Sequence, residues 1–107
     1  MLRGELVRVA LQGEYGKPRP ALIAQADIYS DLPSITVLPL TSDLRELPRV
    51  RVVVAPDGSN GLRRPSQIMV DKAVTVLREK IGPSIGFLSE SDMSIVNRSL
   101  AAFLGFT

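Results

Sequence analysis

From Glu5 to Leu77 the apolar residues recur mainly with a period of two, and after Ser89 they fall three or four apart. That switch constrains the chain more than any other feature. Strand side chains alternate between faces whereas helix neighbours stack every three or four residues, so it predicts a set of strands followed by a C-terminal helix. Glu5-Leu6-Val7-Arg8-Val9-Ala10 reads as a first strand, with Leu6 alternating imperfectly against Val7 and Val9. Pro20 to Gln25 is a short second strand, and Ser34-Ile35-Thr36-Val37-Leu38-Pro39-Leu40 a third, rich in β-branched residues. Arg49 to Val54 opens in charged and apolar alternation, the pattern of a half-exposed strand. Ser66 to Val70 and Ala73 to Leu77 are two more strands, or one long bent one. Gly13, Gly16, Asp57-Gly58 and Asn60-Gly61 supply the turns between them. Six short strands at this spacing predict a small antiparallel barrel or sandwich.

Ser89-Glu90-Ser91-Asp92 has the form of a capping box, in which a hydroxyl and a later carboxylate satisfy the free N–H groups at a helix start. Met93, Val96, Leu100, Phe103 and Leu104 then form one apolar stripe. A helix of about four turns is expected to pack on the barrel, with Gly105 placed to end it. The 107 residues make a single domain, 1–107, large enough to bury a core. Apolar residues make up 45% of it without a low-complexity tract, which argues for a folded chain. No apolar run is long enough to cross a bilayer, and Met1-Leu2-Arg3-Gly4-Glu5 meets charge too early for a secretory signal, so a cytoplasmic protein is expected.

Two absences restrict the chemistry. The chain has no Cys and no His, which removes the thiol nucleophile, the Ser-His-Asp triad, the histidine base and the usual ligands of zinc and haem. Any proton transfer must run through Asp, Glu, Lys, Arg or Tyr. No metal or other cofactor is expected. Net charge is only +2, but Arg45, Arg49, Arg51, Arg63 and Arg64 crowd the middle third and lean the molecule toward an anionic partner. Glu14 and Lys17 fall in the connection between the first two strands. Arg19 stands at the exit, where Pro18 and Pro20 restrict the backbone on both sides and so pre-organise a long cation. Thr41 and Ser42 follow the third strand directly and sit beside that loop if the strands are neighbours.

Four segments, "RGELVRV", "KPRPALI", "LPLTSD" and "GFLSESDMSIVNRSLAAFLG", occur in the order and spacing of the MazF/PemK (Kid) toxins of type II toxin–antitoxin systems. The chain resembles that family over nearly its whole length. The resemblance implies an SH3-like barrel with a C-terminal helix, acting as a homodimer. It also implies a sequence-specific, metal-independent endoribonuclease that cuts single-stranded RNA and blocks translation and growth, with a cognate antitoxin covering the groove. In this sequence the family's catalytic arginine falls on Arg19, its acidic loop residue on Glu14 and its threonine on Thr41, with Ser42 beside it.

The chemistry asks for such a set. RNA is cut by its own 2′-hydroxyl when a base, a charge stabiliser and an acid surround the phosphate, and no metal is needed. Glu14 is the expected base and Thr41 a hydrogen-bond donor to a phosphate oxygen. Arg19 is the expected charge stabiliser, since a guanidinium grips phosphate oxygens bidentately but is a poor acid or base. Lys17, Arg45, Arg49, Arg63 and Arg64 are candidate RNA-backbone contacts, and Tyr15 and Tyr29 candidate stacking surfaces among only five aromatics. Phe87, Phe103 and Phe106 are expected in the core or at a dimer contact.

The sequence departs from the family pattern at three points. Val70-Asp71-Lys72 keeps an aspartate found in Kid-like members but carries lysine after it, so Asp71 is a second candidate base or the partner of Lys72. Met69 replaces the arginine that precedes this segment in those members. Pro18 replaces the glycine usually found before the Arg-Pro pair. Two other functions share the fold. One is a CcdB-like toxin that poisons DNA gyrase through its helix end, faintly echoed in Phe103-Leu104-Gly105-Phe106-Thr107. The other is a barrel that binds a partner without catalysis.

Overall fold

The computed structural model describes residues 1–11 and 17–107, so Glu14 and Tyr15 lie outside the described residues. Seven strands and one helix follow in order: β1 Glu5–Ala10, β2 Pro18–Ile23, β3 Ser34–Thr41, β4 Arg51–Val54, β5 Ser66–Met69, β6 Val74–Leu77, β7 Ile81–Phe87 and α1 Glu90–Leu104. The strands form one antiparallel sheet in the order β4-β5-β3-β2-β1-β7, with β6 paired to β3. It is mainly β with a C-terminal helix, bent into a barrel-like shape whose end strands β4 and β7 do not pair. No described helix is long and apolar enough to cross a membrane.

β3 organises the bend. Its first half, Ser34 to Val37, pairs with β6, and its last residues, Leu40 and Thr41, pair with β5. Val37 to Pro39 pair with β2 on the other edge. Pro39 stands in the gap between the partners β6 and β5, where a missing N–H disturbs the ladder least. The segments Ser66 to Val70 and Ala73 to Leu77 are therefore two strands, separated by a 3₁₀ turn over Val70–Lys72.

The imperfect alternation of β1 has a direct cause, which is that both faces of this sheet are covered. Leu6 joins a cluster with Leu22, Leu38, Ile68 and Val96, while Val7 and Val9 join a second with Ala21, Ile23, Ile35 and Val37. Each of these side chains is at most 2% exposed. Fully burying an aliphatic side chain of this size is worth about 1.5–3 kcal/mol, so the two clusters together dominate the stability.

The structure corrects four expectations. A seventh strand, β7, joins the six expected and pairs with β1 through two register shifts; Gly82, Pro83 and Gly86 are poor strand formers, but as the outer strand it tolerates them. β2 begins at Pro18, two residues earlier than expected, because Pro18 and Pro20 lie beyond the stretch that β3 covers and need no donor on that side. β4 begins at Arg51, with Val50 and Arg51 donating to the Leu47 carbonyl in the turn before it. The helix starts where expected, Ser89 Oγ accepting from Asp92 N–H at 3.1 Å, and ends where Gly105 takes the left-handed conformation at φ 85°. Its apolar stripe is buried only through Val96, with Met93 and Leu100 partly covered; Phe103 and Leu104 are exposed. Phe87 and Phe106 are exposed as well, so none of the three phenylalanines is core in the single chain.

Candidate active site

One cleft of about 290 Å³ opens where the start of β2, the end of β3 and the segment before β5 converge. Arg19, Thr41, Ser42, Arg63 and Arg64 all line it. The sheet explains why residues so far apart in sequence meet. Arg19 pairs with Val9 on β1, and Thr41 pairs with Gln67 on β5, so both project from fixed ladder positions. The floor is apolar, from Pro20, Leu40, Leu62 and Ile85. Among the described lining residues there are four arginines and no carboxylate, a set that contributes positive potential to the cleft.

Each contributor is held by an identifiable device. Thr41 Oγ1 accepts the Asp43 N–H at 3.0 Å, closing a side-chain turn at the strand end. A hydroxyl that accepts through one lone pair retains its O–H, so Thr41 is left able to donate into the cleft. The loop that follows is clamped by the buried amide of Gln67, which accepts from the Arg45 N–H at 2.9 Å and donates to the Arg45 carbonyl at 2.7 Å. Arg63 and Arg64 follow a tight loop built on Asn60, whose fully buried amide accepts the Leu62 N–H and donates to the Ala55 carbonyl. Gly61 lies so close to β7, at φ 70°, that an added Cβ would stand 1.9 Å from the Ile85 carbonyl oxygen. The loop is thereby locked onto the sheet and its arginines start from a rigid base.

The remaining candidates fall elsewhere. Lys17 is exposed immediately before β2. The Arg45 guanidinium pairs with Asp43 at 2.8 Å, both well exposed, beside a smaller depression that also reaches Thr41. Arg49 lies in the turn before β4, its carbonyl accepting Ser99 Oγ at 2.6 Å and so tying the helix to the sheet. Tyr29 is exposed on a short 3₁₀ turn and does not line the cleft.

Asp71 does not line the cleft either. Its partner is Arg51, at 2.9 and 3.3 Å, instead of Lys72. Arg51 sits directly opposite Met69 in the β4–β5 ladder, so a guanidinium does stand beside that position, supplied from the neighbouring strand. The hydrogen bonds from Arg51 hold the Asp71 carboxyl below the usual carboxylate range, against the opposing push of burial. Arg8, which the sequence did not single out, also lines the cleft. The available signal was one charged residue inside a strand whose neighbours Leu6, Val7 and Val9 are all apolar; period-two alternation alone disguises it as a solvent-facing position.

Known proteins match this chain across its length. The family described as PemK-like, MazF-like toxin of type II toxin–antitoxin system matches residues 2–104. The probable endoribonuclease MazF of Mycolicibacterium smegmatis is 40% identical over 106 residues, covering 98% of this chain and 97% of the relative. The structure is similar to that of the Mycobacterium tuberculosis toxin MazF-mt6, with TM-score 0.78, 27% identity and coverage of 94% and 96% of the two chains. It also shares its fold with a mycobacterial endoribonuclease solved in complex with its cognate antitoxin, with TM-score 0.82, 24% identity and coverage of 100% and 97%. The cleft just described thus sits on a chain that belongs to the family of PemK-like, MazF-like toxins of type II toxin–antitoxin systems.

Proposed function

We propose that the protein is an endoribonuclease toxin that cuts single-stranded RNA in the Arg19–Thr41 cleft without a metal ion and is neutralised by a cognate antitoxin. The observation that carries this reading is the convergence of Arg19, Thr41 and Ser42 with Arg63 and Arg64 on one arginine-lined cleft of a MazF-like chain. The 40% identical relative, a probable endoribonuclease, supports the same activity. The family match favours it over gyrase poisoning and over a silent binding module.

The reaction follows from these groups. A 2′-hydroxyl gives its proton to a base as its oxygen attacks the adjacent phosphorus. The bond to the 5′ oxygen breaks, and that oxygen leaves with a proton taken from water. The products are a 2′,3′-cyclic phosphate and a 5′-hydroxyl. Arg19 neutralises the charge that builds on the phosphate oxygens, and Thr41 donates a hydrogen bond to one of them. Asp71 is committed to Arg51, which leaves the acidic loop residue Glu14 as the preferred base. Arg63 and Arg64 hold the flanking phosphates, with Lys17 as a further cation at the β2 end. A homodimer in the cytoplasm is the working form.

Incubation of the purified protein with a long single-stranded RNA in excess EDTA tests the reading. Discrete fragments are expected. Intact RNA together with inhibited supercoiling by DNA gyrase would transfer the function to the CcdB-like class, and neither effect would leave a binding module.

A further inference from the structure

Arg8 differs from the three other arginines of the cleft. Its strand is paired on both sides, with Arg8 opposite Pro20 on β2 and at a register shift with β7 that the pairs Val7 with Ser84 and Val9 with Ile81 bracket, so the backbone on either side of it is held. β7 approaches closely enough that a Cβ added at Gly82 would lie 3.0 Å from the Arg8 carbonyl oxygen. Arg19, Arg63 and Arg64 are exposed, whereas Arg8 is partly buried and shares the cleft with Pro20, Leu40, Leu62 and Ile85. Among the described residues no carboxylate lies within ion-pair distance of it. A guanidinium held on a stiff strand, beside hydrocarbon and without a fixed anion, has its hydrogen-bonding capacity directed at whatever enters the cleft.

A phosphate is best taken at the exposed rim, where its other oxygens stay hydrated. A nucleobase suits the floor, because its face covers apolar carbons while its edge offers acceptors. The cleft volume of about 290 Å³ is at the small end for ligand sites, the scale of one nucleotide and not of a helix. Resting on the endoribonuclease reading, we propose that Arg8 is a specificity-determining residue that binds one guanine of the RNA through two N–H groups donating to O6 and N7. Two bases present adjacent acceptors to such a fork, guanine at O6 and N7 and cytosine at O2 and N3. The larger purine covers more of the apolar floor, which favours guanine.

The test maps cut sites on a long single-stranded RNA for the wild type, Arg8→Met and Arg8→Lys. Wild-type sites should share a guanine at one fixed offset from the cut, and both variants should lose that preference by about tenfold while preferences at other offsets persist. Lysine keeps the charge and loses the fork, so a phosphate contact would survive in Arg8→Lys and a base contact would not. Replacing that guanine by 7-deazaguanine should slow the wild type by about tenfold and leave both variants unaffected. An unchanged map, a fixed cytosine instead of guanine, or uniform slowing with a shallower salt dependence would each overturn the proposal. Should the wild type cut no RNA, the endoribonuclease reading fails separately. Arg8 is then tested by titrating GMP and 7-deaza-GMP into wild type and Arg8→Met; tighter binding of GMP to the wild type alone supports the base contact, and equal binding overturns it.

Discussion

Arg51 on β4 and Arg8 on β1 are both partly buried arginines of one small sheet, and their charges are met in opposite ways. Arg51 receives a carboxylate from within the fold, Asp71, and the pair seals the junction where β4, the 3₁₀ turn and α1 come together. Arg8 lines a cleft in which the described residues supply three more arginines and no acid. The contrast teaches where charge serves the fold and where it serves a guest. A paired guanidinium fixes geometry at the cost of desolvation, whereas Arg8, with no carboxylate among the described residues within ion-pair distance, keeps its donors for an anion or acceptor that arrives later.

Substitutions on the two sides should separate activity from stability. Arg19→Ala has the largest expected effect, a loss of about 10²–10³-fold in single-turnover RNA cleavage with the thermal midpoint nearly unchanged, since the residue is exposed. A melting temperature that falls with the rate would place Arg19 on the structural side instead. Next comes Gly61→Ala, which combines a positive φ with a backbone clash and should cost about 2 kcal/mol or more, read as a fall of roughly 8 °C or more in the thermal midpoint. A neutral result there would mean that the loop carrying Arg63 and Arg64 is not locked onto β7.

Asp71→Asn is expected to cost about 1–2 kcal/mol by denaturant titration near neutral pH, less than a fully buried pair because Asp71 keeps some exposure to water, while cleavage stays within about threefold. Its pH dependence has a definite sign. The folded-state value lies below the ordinary 3.8, so the contribution is complete above that value and disappears as pH falls through the lower, folded-state one. The stability gap between wild type and Asp71→Asn should therefore close in acid and be constant above about pH 5. Abolished cleavage with intact stability would make Asp71 the base after all. The smallest effect is expected from Arg64→Ala, a few-fold weakening of RNA affinity that is uniform across sequences and lowers the salt slope by about 0.7. A sequence-dependent loss would show that Arg64 reads bases.

Much of this arrangement is legible in the chain. Period two marked β1 and β3, and the serine and glycine at the helix ends marked α1, because caps and alternation are local physics. Thr41 and Arg19 were nameable through the resemblance of "LPLTSD" and "KPRPALI", and their meeting in one cleft follows from β1, β2, β3 and β5 pairing. β7 was hidden because Gly82, Pro83 and Gly86 are poor strand formers, and only its place at the sheet edge makes them tolerable. The partner of Asp71 was hidden too, since Arg51 lies 20 residues away and is brought close only by the β4–β5 ladder. Phe103 and Leu104 looked like core because a helical stripe does not say how far the sheet beneath it extends.

The most direct measurement is the chemistry of the cut ends. RNA fragments made in excess EDTA should carry a 2′,3′-cyclic phosphate and a 5′-hydroxyl by mass spectrometry, and Arg19→Ala should form them about 10²–10³-fold more slowly. Fragments ending in a 3′-hydroxyl and a 5′-phosphate, or the same cyclic ends formed at an undiminished rate by Arg19→Ala, would contradict cleavage by the 2′-hydroxyl in this cleft.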